Sequence, residues 1–371
     1  IPFVARTGSS WLQLASYMHE LGGWSSARRK AFIKMFDALD PEDLAYQMLK
    51  YQSRNGWSQR DLLRLTHPKT DGPKNVLFKF LTSGNYELGG PKLLDDFMVL
   101  QRARNARQVI EALKQNHSLS WEMIPTQFMK DRDVWATLLN TNLPMGALLR
   151  NLGRMTSIGV LGFDLSNEVE TVVRKFANTE LLAKSRLHPM TILNAQRVYE
   201  QGHGDKGTLK WNPSRRIREA LESAFYTSFG TVESSNERYL IAIDVSGSMT
   251  AATAAGSQLR ASEVATAMAM VTLKSEPRAI AVGFSTSVVP LPIAVTESLQ
   301  HNMRSVYAMT YGATDTAAAL EWLIKNKHDV DKVVVISDGQ GYAGHRHLSQ
   351  ALQDYENKVG HVVKVVIVAT T

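Results

Sequence analysis

Between residues 239 and 250 the chain reads Tyr-Leu-Ile-Ala-Ile-Asp-Val-Ser-Gly-Ser-Met-Thr, an apolar run that ends in an acidic, hydroxyl-rich loop. Residues 239–243 have the length and composition of a strand covered on both faces. Asp244, Ser246 and Ser248 follow in the spacing D-x-S-x-S, with Gly247 between the serines. In extended chain, residues two apart point the same way, so one carboxylate and two hydroxyls converge just past the strand. Hard oxygens of this kind suit Mg²⁺ or a similar cation. Before this stretch the pattern is helical, and after it strands and helices alternate. The stretch therefore predicts both a domain boundary and a binding site.

From residue 11 to about 228 short helical patterns follow one another with polar breaks. Asp40-Pro41-Glu42-Asp43 is a helix start, with Asp40 as N-cap, proline at the first position and acids in the first turn. That helix is expected to run through Leu44, Met48, Leu49 and Tyr51 and to stop at Asn55-Gly56. Ser58 and Asp61 have capping-box spacing ahead of Leu62, Leu63 and Leu65, and His67-Pro68 ends the segment before a turn at Asp71-Gly72-Pro73. Further helices are expected over 91–116, 121–140, 144–157, 166–185, 189–201 and 213–227. Paired helices in succession point to an α-solenoid of the HEAT type, with a compact bundle as the competing arrangement.

From residue 239 the expected order is strand 239–245, helix 260–274, strand 279–284 and a short extended piece at 288–295. The two prolines of that piece, Pro290 and Pro292, place it at a sheet edge. Helices near 297–309, 316–326 and 347–357 and strands 332–337 and 361–369 complete a doubly wound α/β sheet. Ligands of such sheets bind at the carboxyl ends of the strands. Three loops belong to that edge: the D-x-S-x-S loop, the loop carrying Thr314, and Asp338 in Ile-Ser-Asp-Gly.

Charge separates the two halves. Residues 1–238 hold 32 Lys+Arg against 24 Asp+Glu, a net of +8, and residues 239–371 carry a net of −1. The basic excess lies wholly in the helical half, which favours a polyanionic partner there. No apolar run reaches the roughly 18–20 residues of a membrane-spanning helix, and the chain has no cysteine, which excludes disulfides and thiolate chemistry. Neither dinucleotide-binding nor P-loop glycine patterns are present, nor a G-x-S-x-G elbow, nor a zinc-protease histidine pair. His345 and His347 stand closest and fit an exposed loop. Two carboxylates without a general base are too few for two-metal hydrolysis.

Together, Asp244-x-Ser246-x-Ser248, Thr314 and Asp338 resemble the metal-ion-dependent adhesion site of von Willebrand factor A domains. The resemblance implies Mg²⁺ coordinated by Ser246, Ser248 and Thr314 and held by Asp244 and Asp338 largely through water. It also implies an open coordination position for an acidic side chain of a partner. In the helical half, the run from Lys50 to His67, KYQSRNGWSQRDLLRLTH, is similar to the signature of the Ro autoantigen, or TROVE, family. So are Leu-Leu-Arg-Asn-Leu-Gly-Arg-Met-Thr at 148–156, Gly202-His203-Gly204 with Leu209-Lys210-Trp211, and Ala224-Phe225-Tyr226.

The resemblance covers nearly the whole chain. It implies a ring of HEAT-like helical repeats over 1–236, with the family's first helices missing, and a von Willebrand A domain over 237–371, with its last part missing. It further implies a non-catalytic RNA-binding protein, expected to be a monomer, and the absence of cysteine fits a cytoplasmic one. Such a protein takes Y RNA on the outer surface of the ring and single-stranded ends of misfolded noncoding RNA through its hole, beside an exoribonuclease. Lys50, Arg54 and His67 match family positions that contact Y RNA, and Lys50 and Arg54 are expected one helical turn apart on one face. Arg60 and Arg64 are expected to be neighbours of that patch. Arg102, Arg104, Arg107, Arg215, Arg216 and Arg218 are read as solvated basic clusters, and Trp57 and Trp211 as core. The alternative is a metal-dependent protein-interaction scaffold in which the A domain carries the function.

Overall fold

The computed structural model describes residues 5–141, 143–204, 208–254, 256–308, 314–339 and 346–370. Two start signals of the helical half and the stop at His67 act locally as expected. Asp40 accepts the backbone N–H groups of Glu42 and Asp43, each at 2.9 Å, and opens the helix Pro41–Lys50. Ser58 and Asp61 close a reciprocal capping box on the helix Gln59–Thr66, and His67 ends it in the left-handed conformation at φ 49°.

Between these helices the structure corrects the sequence reading. The helix ends at Lys50, and Asn55-Gly56 turns a small hairpin, β1 (Ser53–Arg54) against β2 (Trp57–Ser58). Asn55 and Gly56 both take positive φ, 51° and 76°, the requirement of a two-residue turn that matches strand twist. Arg54 therefore sits on a hairpin strand and not one turn along the helix from Lys50. Asp71-Gly72-Pro73 likewise begins the helix Gly72–Ser83 instead of forming a free turn. The expected helix 91–116 is two, Lys92–Gln101 and Ala106–Gln115, the second capped by Asn105 accepting from Gln108 at 3.1 Å. Residues 121–140 resolve into two short 3₁₀ turns and the helix Arg132–Asn140. Asn178 divides 166–185 into Asn167–Ala177 and Thr179–Ser185.

Contacts gather the chain into two units, residues 1–144 with 158–160, and residues 145–157 with 161–371. Among the described residues the regular elements of the first are helices and the hairpin, and Trp11, Phe32, Phe36, Leu44, Met48, Leu62 and Trp135 are among its fully buried side chains. Trp57 is half-buried there, its ring 5.5 Å from His19 and 5.6 Å from Trp24. The second unit joins the helices Met145–Ser157, Asn167–Ala177, Thr179–Ser185, Pro189–Glu200 and Arg215–Thr227 to a five-stranded sheet.

The strands are β3 (Tyr239–Asp244), β4 (Ala279–Phe284), β5 (Val288–Pro290), β6 (Lys332–Ser337) and β7 (Lys364–Ala369), in the order β5-β4-β3-β6-β7. All neighbours are parallel except β5, which lies antiparallel at the edge as its prolines require. β3 is central and buried on both faces. Leu240 and Ala242 pack with Leu320, Leu323 and Tyr355 of the helices Ala318–Asn326 and Leu348–Val359. Ile241 and Ile243 pack with Ala261, Ala265, Ala269 and Val306 of the helices Ala261–Ser275 and Leu299–Tyr307. Among the described residues no helix is long and apolar enough to cross a membrane.

At the opposite end of the sheet from the D-x-S-x-S loop, an ion network ties the strand starts together. Arg238 donates to Asp331 and to Asp329, and His361 Nε2 lies 2.9 Å from Asp329. The Asp329 hydrogen bond raises the His361 pKa, against desolvation and the positive Arg238 beside it. A raised folded-state pKa gives stability that is complete below the ordinary histidine value and lost as pH rises through the shifted one. Urea unfolding of the wild type and His361→Ala should therefore show a larger deficit at about pH 5.5 than at about pH 8.5. Equal deficits at both would remove the ion pair from the account.

Candidate functional site

Past the carboxyl end of β3 the chain delivers Asp244, fully buried, into a cluster of hydroxyls. Its Oδ1 accepts the Ser246 backbone N–H at 2.9 Å. Its Oδ2 accepts Ser337 Oγ at 2.7 Å and Thr314 Oγ1 at 3.2 Å. Ser246 Oγ and Ser248 Oγ are 3.0 Å apart, with Ser246 buried and Ser248 half-buried. Asp338 follows β6 directly, is 3% exposed, and continues through Gly339 at φ 73°, which frees the chain to turn.

Parallel register is what brings β3 and β6 to the same edge, Ile243 opposite Ile336, so that Asp244 and the Ser337–Asp338 pair meet there. All five residues singled out from the sequence belong to this edge. Gly312 and Ala313 of the Thr314 loop lie outside the described residues, as does His345.

Two members escaped the sequence reading. Ser337 is the nearest hydroxyl to Asp244, and only its place before Asp338 marked it. Tyr307, at the end of its helix, donates from its phenol to the Asp244 carbonyl at 3.4 Å. Burial, and then the negative charges of Asp244 and Asp338, push its pKa far above the ordinary phenol value. Both carboxylates are thus felt at one point. The donor set is hydroxyl and carboxylate oxygen alone, the chemistry of a hard divalent cation. It holds too few acids to form a cluster of three or more histidines and carboxylates, and none occurs among the described residues.

The basic residues from Lys50 to His67 occupy three different settings. Lys50 is half-buried, its ammonium donating to Tyr46 Oη at 2.8 Å and lying 4.9 and 5.3 Å from the Tyr46 and Tyr51 ring centres. Burial opposes its charge, but the Tyr46 hydrogen bond and the nearby Glu122 carboxylate outweigh that and raise its pKa. Arg54 is exposed on the hairpin, its guanidinium donating to the Ser53 carbonyl at 3.1 Å. Arg60 and Arg64 share one face of Gln59–Thr66, as their spacing predicts, and donate to the Leu81 and Thr82 carbonyls at 3.2 and 3.4 Å. Those carbonyls end the helix Gly72–Ser83, where a cation is favoured. His67 is exposed.

Of the other clusters, Arg107 and Arg215 pair with Glu111 and Glu219 along their own helices, and Arg216 with Glu170. Trp211 packs against Gly153 and donates to the Tyr199 carbonyl at 2.8 Å, which leaves it structural.

Short helices in succession followed by an A-type sheet with a hydroxyl-rich carboxyl edge define the class as a helical-repeat protein with a von Willebrand A domain. Comparison with known proteins agrees and narrows it. The "TROVE domain" family matches residues 3–87 and 100–198, and the "Ro60 vWA domain" family matches residues 238–371. RNA-binding protein RO60 of Deinococcus radiodurans is 35% identical across the whole of this chain, which spans 70% of that protein's length. RNA-binding protein RO60 of Caenorhabditis elegans is 29% identical, with 66% of its length spanned. The crystal structure of the D. radiodurans RO (RSR) protein matches with a TM-score of 0.85 at 34% identity, over 99% of this chain and 75% of that one. The chain belongs to the Ro60, or TROVE, family.

Proposed function

We propose that this chain binds RNA without acting on it chemically, and that the segment from Lys50 to His67 is a main contact. The observation that carries the reading is the similarity, across the whole of this chain, to two proteins named as RNA-binding, joined to a helical half of net charge +8. Exposed Arg54, Arg60, Arg64 and His67 offer charge and hydrogen bonds to phosphates, and counterion release makes such binding strongly salt-dependent. The finer reading is Y RNA on this surface and single-stranded ends of misfolded noncoding RNA elsewhere on the helical half. It places the protein as a cytoplasmic monomer in RNA quality control beside an exoribonuclease.

Within this reading Arg54 carries more of the contact than Lys50. Lys50 already spends its ammonium on Tyr46, whereas the Arg54 guanidinium is turned to solvent. Filter binding of a Y-type stem RNA across a salt series should show Lys50→Ala/Arg54→Ala about tenfold weaker, with a slope shallower by about 1–2. Arg54→Ala alone should account for most of the loss. Unchanged affinity and slope would remove the segment from the interface.

A second role is favoured by the Asp244 cluster. Ser246, Ser248 and Thr314 would hold Mg²⁺, with Asp244 and Asp338 supporting it. With only neutral hydroxyls in direct contact and the two carboxylates behind them, the ion would keep an open, electrophilic position for an acidic side chain of a partner. In this reading the A domain is a metal-dependent docking point, and in its strongest form the chain is a protein-interaction scaffold. Capture that needs both Mg²⁺ and Asp244, in protein whose RNA affinity is untouched by either, would favour the scaffold.

A further inference from the structure

One basic cleft of the second unit contains no residue of the Lys50–His67 segment or of the Asp244 cluster. Three helices of the second unit, Pro189–Glu200, Ala261–Ser275 and Leu299–Tyr307, border a cleft of about 420 Å³. Its lining is Arg197, Arg260, Glu263, Gln300, Met303 and Arg304.

One wall is a fixed frame. Glu263 is 7% exposed, and its Oε1 accepts Arg197 Nε at 2.9 Å and Arg197 Nη2 as well. Its other oxygen accepts the Arg260 backbone N–H at 2.9 Å and so caps the helix Ala261–Ser275. Glu200 takes the remaining Arg197 nitrogen at 3.1 Å. Arg197 and Glu263 are thereby neutralised and immobilised, and Glu263 already satisfies the helix start.

Arg260 and Arg304 are different. Both are exposed, and among the described residues neither guanidinium has an acidic partner. Two unneutralised guanidiniums facing one cleft repel each other and are stabilised by an anion between them. Residues 239–371 carry a net charge of −1, so the general field of this half does not draw anions. The local pair must do so. A guanidinium fork matches tetrahedral phosphate with paired N–H donors, and the cleft has the scale of one phosphate with its sugar rather than of a duplex.

We propose that Arg260 and Arg304 hold a phosphate of single-stranded RNA in this cleft, on the frame made by Arg197 and Glu263. The proposal rests on the RNA-binding reading and extends it to the α/β part. The test is binding of a fluorescent single-stranded oligoribonucleotide across a salt series to wild type, Arg260→Ala/Arg304→Ala and Arg260→Lys/Arg304→Lys. Inorganic phosphate serves as a separate titrant.

The alanine pair should bind about tenfold more weakly with a salt slope shallower by about 1, since each lost phosphate contact removes about 0.7 for single strands. The lysine pair, which keeps the charge, should recover most of the slope. Wild-type affinity and slope in the alanine pair would overturn the site while leaving RNA binding by the protein intact. Failure of the wild type to bind the oligonucleotide at all would overturn both readings together. Inorganic phosphate that binds wild type but not the alanine pair, with oligonucleotide affinity equal in both, would make this a free-phosphate site and overturn the RNA assignment.

Discussion

Replacing Asp244 with alanine should lower the melting temperature and abolish any gain in it from Mg²⁺. The side chain accepts three hydrogen bonds in a fully buried position, from the Ser246 backbone and from the Thr314 and Ser337 hydroxyls. Each buried donor left without an acceptor costs about 1–3 kcal/mol. Relief of repulsion with Asp338 offsets part of that, so a net loss of about 3 kcal/mol is expected, or roughly 6–12 °C for a unit of this size.

The metal effect separates cleanly from this. A cation that binds only the folded state stabilises it by about 1.4 kcal/mol at a tenfold excess over its Kd. Asp244→Asn keeps an acceptor of the same shape and should recover most of the melting temperature while still losing the Mg²⁺ gain. Thermal melts with and without MgCl₂ on all three proteins decide the matter. An Asp244→Asn protein that responds to Mg²⁺ as the wild type does would end the metal reading.

The second large effect is expected at Trp211. Its ring stacks on Tyr199 at 6.2 Å and 19°, its indole N–H is satisfied at 2.8 Å, and its backbone N–H donates to the Gly202 carbonyl at 2.8 Å. Tyr199 in turn receives the Ser214 N–H at its phenol oxygen and lies 3.0 Å from the Thr156 hydroxyl. Trp211→Ala removes the ring that packs against Gly153 of the helix Met145–Ser157 and should cost about 3 kcal/mol, the lower end for a large aromatic because Trp211 is half-buried.

Gly153 gives the converse test. A Cβ there would stand 2.6–2.8 Å from three Trp211 ring carbons. Gly153→Ala gains about 1 kcal/mol of helix propensity and loses about 1–3 to overpacking, so it should destabilise the wild type. In the Trp211→Ala background the same change should stabilise, because the obstacle is gone. Additive effects in urea unfolding would refute the contact.

Much of this protein is written in short-range chemistry. The apolar run 239–243 demanded a doubly covered strand, and Asp244-x-Ser246-x-Ser248 placed three oxygens beyond it, because both depend on neighbours two residues away. The caps at Asp40 and Ser58 are equally local. Where two local outcomes share one signal, the sequence misled. Asn-Gly serves a helix end and a hairpin turn alike, and the pairing of Ser53 with Ser58 selected the hairpin, taking Arg54 off the Lys50 helix. The breaks at 102–105 and at Asn178 carry no proline or glycine, so helical periodicity ran through them unchecked.

The sequence by itself determined a helical half that holds the basic charge, a parallel sheet after it, and an oxygen-rich edge at Asp244. It did so because capping, side-chain periodicity and net charge are properties of the chain within one or two turns. The tertiary structure alone decided which distant groups meet. It set Ser337 and Tyr307 on Asp244, Glu263 on Arg197 across 66 residues, and Arg260 and Arg304 on one cleft. Those meetings depend on strand register and helix packing, which bring together side chains that no local spacing relates.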